Sequence, residues 1–144
     1  MTHLLSNQSL VDLMSQLPAI VEVVHGVGYE NVHASALTVG QVQSNINALP
    51  MSNPDREVFM RNLRTITSKI RAEHELLPID RETVEQWVPI QAIKLHDAGG
   101  RDIGFASRMT IAVALQYNFK LITRDVPWVS VMRRHGLGVV AYRY

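Results

Sequence analysis

SRMTIAVALQYNFKLITRD, residues 107–125, runs from an almost wholly apolar segment, Met109 to Leu115, into a short, partly β-branched one, Lys120-Leu121-Ile122-Thr123. Alanines at 112 and 114 permit close packing, and Tyr117-Asn118 leaves almost no connecting loop. A buried helix passing straight into a buried strand is half of a βαβ unit, the repeat from which α/β proteins are assembled. Chemistry in such sheets gathers outside the carboxyl ends of the strands, so Thr123-Arg124-Asp125 points toward the site.

Outward from this stretch the chain reads as one domain, residues 1–144. Its apolar fraction of 47%, with 19% charged residues, suits a compact core. No apolar run approaches the ~20 residues that span a bilayer. The opening Met1-Thr2-His3-Leu4-Leu5-Ser6 has neither the cationic flank nor the small-residue cleavage site of a signal peptide. Cysteine is absent, which excludes disulfide and thiolate chemistry and makes the cytoplasm the default location. The net charge of +1 conceals a gradient. Residues 1–100 carry 7 Lys/Arg against 11 Asp/Glu, and residues 101–144 carry 7 against 2. A basic C-terminal third is suited to attracting a polyanion.

His3-Leu4-Leu5 is expected as the first strand, followed by a helix capped by Ser9 and running to Gln16. Pro18 opens a second helix that Gly26 and Gly28 close. Val32 to Ser35 is expected as a second strand, with Thr38 capping a third helix through Asn47. A long helix from Pro54 to His74, capped by Asn53, buries Phe59, Leu63, Ile66 and Ile70. Leu76 to Ile79 is expected as a third strand. Asp80 then caps a helix holding Val84, Trp87 and Ile93, kinked at Pro89. After Asp125, Pro127 starts a short helix that ends at Gly136, and Leu137 to Tyr142 is the last strand. Helices separating short apolar strands imply a three-layer α/β/α domain around a central, mainly parallel sheet.

The sequence contains no GxGxxG, P-loop, GxSxG or HExxH motif, and its six histidines lack metal-ligand spacing. Read as ordered blocks, however, the chain resembles the PIN domain, specifically the VapC- and FitB-type nuclease toxins of bacterial toxin–antitoxin (plasmid stability) modules. His3-Leu4-Leu5-Ser6-Asn7-Gln8 stands where that family has a strand followed by Asp-Thr-Asn. Ser35-Ala36-Leu37-Thr38-Val39-Gly40-Gln41 stands at its Ser-Ala-Ile-Thr-Val-Gly-Glu, followed by Leu49-Pro50. Leu76-Leu77-Pro78-Ile79-Asp80 matches the strand before the Trp-bearing helix. Ser107 to Leu115 and Leu121-Ile122-Thr123-Arg124-Asp125 resemble its Asp-x-x-Ile-Ala-Ala-Thr-Ala-Leu and Leu-Val-Thr-Arg-Asn.

The resemblance implies a carboxylate cluster holding Mg²⁺ or Mn²⁺, hard cations that prefer oxygen ligands and activate water for phosphodiester cleavage. Here each acidic position is replaced, by Ser6, Gln41, Ser107 and Trp128, leaving Asp125 as the remaining acid and sole metal candidate. Loss of about four charges from one small site removes the attraction a dication needs at short range. Asp12, Asp97, Asp102 and Glu30 are the acids from which a site could be rebuilt, Asp102 foremost.

Two readings follow from this resemblance. One is a non-catalytic PIN-like protein needing no cofactor, which binds RNA, an antitoxin-like peptide or another PIN subunit. Arg108, Arg124, Arg133 and Arg134 are its candidate nucleic-acid contacts, and homodimerisation is expected. Ser44 to Met60 is a further candidate contact surface. The other reading is a Mg²⁺- or Mn²⁺-dependent ribonuclease toxin with a reshaped site. Metal-free cleavage by His33 with Ser6 or Ser107 is a weaker third idea, because no second acid–base group stands nearby in the sequence.

Overall fold

The computed structural model describes residues 2–143. Strands β1 (His3–Leu5), β2 (Val32–His33), β3 (Lys120–Arg124) and β4 (Val139–Tyr142) form one sheet in the order β2-β1-β3-β4. Every pairing is parallel, with Leu5 opposite Ile122 and Ile122 opposite Val140. The connections are made by helices α1 (Asn7–Met14), α2 (Pro18–Val27), α3 (Ala36–Asn47), α4 (Arg56–Glu73), α5 (Arg81–Ile90), α6 (Gly104–Tyr117) and α7 (Pro127–Arg134).

Alternation along the strands divides the core into two layers. Leu5 and Ile122 face Leu10, Ile20, Val42 and Leu63 of the first four helices. Leu4 and Leu121 face Met109, Val113, Val129 and Met132, on the side covered by α5, α6 and α7. This is the three-layer α/β/α arrangement expected from the alternation of helices and strands. Helix α6 is buried continuously from Arg108 to Ala114. It passes into β3 through Asn118, whose φ of 54° reverses the chain within two residues. No single helix is long and apolar enough to cross a membrane.

Several boundaries differ from those expected, each for a local reason. Helix α1 is capped by Ser6, not Ser9: the Ser6 hydroxyl accepts from the Ser9 amide at 3.1 Å, and the Ser9 hydroxyl donates to the Ser6 carbonyl at 3.0 Å. Ser35 rather than Thr38 caps α3, accepting from the Thr38 amide at 3.0 Å. In both cases the strand leads into the helix with no intervening loop, so the first hydroxyl after the strand takes the cap. Asn53 does not cap α4. Its side chain accepts from the Asp55 amide at 2.9 Å, and this tight turn delays the helix to Arg56.

Leu76 to Ile79 does not form a third full strand. Leu77 makes one bridge to Ser35, donating to the Ala34 carbonyl and accepting from the Ala36 amide, and Pro78 has no N–H with which to continue. Pro89 lies in the last turn of α5 and ends it at Ile90 instead of kinking a longer helix. Phe59 is exposed, so the buried stripe of α4 reduces to Leu63, Ile66 and Ile70, and Val84 is likewise exposed on α5. Leu5 is fully buried between β1 and the first helical layer. Leu5→Ala should cost about 2–5 kcal/mol, read as a lowered urea midpoint with an unchanged slope.

Candidate functional site

Two helices begin where strands end, and their first turns meet. Ser6 continues the β1 ladder by donating its amide to the Ile122 carbonyl at 3.1 Å, then turns into α1. Asn7, the first residue of α1, accepts from the Thr38 hydroxyl of α3 at 2.7 Å and from the Thr110 hydroxyl of α6 at 3.4 Å. The Thr38 and Thr110 hydroxyls are 3.3 Å apart, and the single Thr110 proton is shared between Asn7 and the nearer Ala106 carbonyl at 2.9 Å. A neutral hydroxyl–amide network thus ties α1, α3 and α6 together at the carboxyl edge.

Beside this network opens a cleft of about 350 Å³. Ser6, Asn7, Gln8, Ser107, Thr110 and Thr123 supply its polar surface. Leu121, Val126 and Trp128 form apolar wall, with Trp128 only 7% exposed. Ser6, Ser107 and Trp128 all line this cleft. Gln41 is not among the lining residues, and its amide donates to Asn45 one turn along α3 at 3.2 Å. Asp125 also lies outside the lining, where it accepts from Arg143 at 3.0 Å.

Asp97 is the one carboxylate that lines the cleft. It accepts from the Gly99 and Arg101 amides at 2.9 and 3.0 Å, which fixes the loop over residues 97–101. Asp102 accepts from Arg108 at 2.5 Å and from the Gly104 amide at 2.8 Å, and these bonds, the Arg108 contact first, hold its carboxyl below the usual range. Glu30 lies beside Gly28 in the 3₁₀ turn Tyr29–Asn31, outside the cleft lining. Among the described residues, no three His, Asp or Glu side chains are grouped to hold a metal ion. Magnesium gives up water reluctantly and favours several anionic oxygens. A set of neutral hydroxyls and amides with one carboxylate engaged on backbone amides does not fit such a centre.

The arginines near this edge have structural partners. Arg124 of β3 grips buried Asp12 of α1 with two bonds, of 2.6 and 2.5 Å. The Tyr142 hydroxyl of β4 donates to the same carboxylate at 2.6 Å, and Gln8 at 3.1 Å. Burial, then this bond to Asp12, pushes the Tyr142 phenol well above its ordinary range. Arg108 is 6% exposed and donates to the Ile90 and Ile93 carbonyls, satisfying orphan groups at the end of α5. Arg133 and Arg134 are exposed on α7, with Arg133 donating to the Val139 carbonyl at 3.2 Å.

His33 lies on β2, outside the cleft lining, stacked on His74 at 4.0 Å and tilted against Phe119 at 4.6 Å between ring centroids. Burial, reinforced by the neighbouring His74, lowers its pKa to about 4. Such a group is neutral at physiological pH and packs against these two rings.

No protein-family model matches the sequence, and no curated protein matches it. Solved structures do match. Over 96% of this chain and 96% of the matched one, it is similar to FitAcB from Neisseria gonorrhoeae at 19% identity and a TM-score of 0.70. FitAB bound to an IR36 DNA fragment matches over 97% and 94%, at 20% identity and a TM-score of 0.74. VapBC2 from Rickettsia felis, bound to a DNA fragment from its promoter, matches over 99% of both chains at 13% identity and a TM-score of 0.72. The fold is the PIN fold that these structures share. Within this PIN fold, the cleft occupies the carboxyl edge at which the sequence blocks converge.

Sequence reasoning did not single out Asn7 or Thr110 as links between helices, nor Asp12 as the anchor for Arg124. Helical spacing puts Asp12 opposite the Leu10, Leu13 and Met14 stripe of α1, so no local pattern marked it for burial. Asp12→Ala should destabilise the PIN fold by about 3–5 kcal/mol in urea unfolding, because it leaves a guanidinium and a phenol without their acceptor. For His33, the unfolded imidazole, near 6.5, takes up a proton before the folded one does. Its contribution to stability is therefore complete above pH 6.5 and declines as pH falls toward 4. His33→Leu should shrink the loss of stability between pH 7 and pH 5, measured from urea midpoints at the two values.

Proposed function

We propose that this PIN-fold chain is a catalytically inactive binding protein whose partner is an antitoxin-like protein. One observation carries the reading: Ser6, Ser107 and Trp128, three of the four positions where the resemblance calls for an acid, surround one cleft. The Ser6 hydroxyl is, moreover, occupied in capping α1. A metal-dependent phosphodiesterase would need anionic ligands at these positions to concentrate positive charge on the scissile phosphate. Serine offers a neutral oxygen and Trp128 offers none.

Support for the partner comes from the neighbouring folds, which are toxin–antitoxin complexes. Pairing with a second PIN subunit through a helical face, and contact with RNA through exposed Arg133 and Arg134, belong to the same proposal. Arg108 and Arg124 contribute little to such a surface, since their guanidinium groups are engaged inside the fold.

Asp97 gives the alternative its one foothold, because its carboxylate lines the cleft. On that reading the chain is a Mg²⁺- or Mn²⁺-dependent ribonuclease with a reshaped site, and Asp97→Ala abolishes metal uptake and cleavage together. Isothermal titration with Mn²⁺ beside an RNA degradation assay separates the two. The binding-protein reading expects intact RNA and Mn²⁺ uptake no tighter than the millimolar range, on the order of 4 kcal/mol of binding free energy. Micromolar uptake with cleavage that Asp97→Ala removes would reverse it.

A further inference from the structure

Five of the seven cations in residues 1–100 lie on α4: Arg56, Arg61, Arg64, Lys69 and Arg71. Lys69 stands over the Tyr29 ring, 5.5 Å from its centroid. Among the described residues, none of the four arginines forms an ion pair. All four border two adjoining depressions between α3 and α4, of about 400 and 510 Å³, which share Asn47, Met60 and Arg64. Val39, Met60 and Leu63 supply apolar lining, and Glu57 is the single acid among the lining residues. The Thr67 hydroxyl and Arg56 Nε, both on side chains that line the depressions, are buried without a hydrogen-bond partner. Each is a donor in want of an acceptor.

We infer that this α3–α4 groove is a docking surface for a helical peptide segment of a partner protein that carries acidic and aliphatic residues at helical spacing. The inference rests on the binding-protein reading and adds to it a surface and a partner chemistry. From Arg56 to Arg71 the cations extend about 22 Å along the helix. Carboxylates satisfy such a row, and aliphatic side chains cover the lining between α3 and α4, as in helix-in-groove recognition. Single-stranded RNA fits less well. Sequence-tolerant RNA binding stacks bases on aromatic rings, and no aromatic residue lines either depression. A second copy of the chain also fits poorly, since a two-fold contact through α4 would set arginines against arginines.

Fluorescence anisotropy of the full chain tests this with three labelled probes. They are a peptide of about 14 Glu, Leu and Ala residues, long enough as a helix to follow the row, the same peptide with Gln for Glu, and a short single-stranded RNA. The Glu peptide should bind tightest and weaken as salt is raised. Arg64→Glu with Arg71→Glu should weaken it roughly tenfold or more, and Arg64→Gln with Arg71→Gln by less. Both positions are exposed, and the Gln pair serves if charge reversal disturbs folding. Arg133→Glu with Arg134→Glu should leave binding unchanged. The inference fails if the Glu peptide does not bind, if the Gln peptide or the RNA binds as tightly, or if both α4 double variants bind like the parent. Groove binding together with Mn²⁺-dependent cleavage would overturn the inactive reading alone; no groove binding with no metal uptake would overturn the groove alone.

Discussion

A buried carboxylate cannot stand alone, and Asp12 is 1% exposed. Its partners arrive from three directions: Arg124 from β3, Tyr142 from β4 and Gln8 from one turn earlier in α1. The pair therefore fixes α1 against the two C-terminal strands at the edge where the cleft opens. It also sets the register of what surrounds it, because Arg124 meets Tyr142 across the β3–β4 ladder and Ser6 follows β1 beside Ile122. A salt bridge of this kind gains little net stability over an apolar substitute, but it penalises any arrangement in which either charge loses its partner.

The same pairing shapes the electrostatics of the cleft. Arg124 lines it, yet its charge is balanced by Asp12, and Asp97 is engaged by two backbone amides. What remains is a pocket of hydroxyls and side-chain amides with Trp128 in its wall. Clustered carboxylates would repel one another in the absence of a counter-ion. The Asn7–Thr38–Thr110 network has no such conflict, since each hydroxyl can turn to suit its neighbours. Three helices can thus meet at the edge without a metal to hold them.

Charge on the surface is distributed differently from charge along the chain. The C-terminal third is the basic segment by count, but folding draws Arg108 onto Asp102, Arg124 onto Asp12 and Arg143 onto Asp125. The N-terminal hundred residues are acidic by count, but their cations concentrate on α4, where none of the four arginines forms an ion pair among the described residues. A long-range field depends on charges that remain unpaired, so α4 adds a second positive surface to the one that Arg133 and Arg134 leave exposed on α7.

The apolar run of Met109 to Leu115 before Lys120 to Thr123, and the Pro18, Asp80 and Pro127 signals at helix starts, were enough to determine the α/β class and, apart from Leu76 to Ile79, the element order. They act through neighbours in sequence: helical periodicity, capping and strand alternation are all local. The ordered blocks likewise pointed to the PIN fold and to Ser6, Ser107 and Trp128 as residues of one site. Tertiary structure alone decided which acids reach that site, because Asp12, Asp97, Asp102 and Asp125 differ only in what meets them across the fold. It alone turned Leu76 to Ile79 from a strand into a single bridge, and paired Arg108, Arg124 and Arg143 with acids. The reason is that pairing of charges and of backbone groups is settled by residues dozens of positions apart, such as Asp12 and Arg124, whose meeting no local pattern encodes.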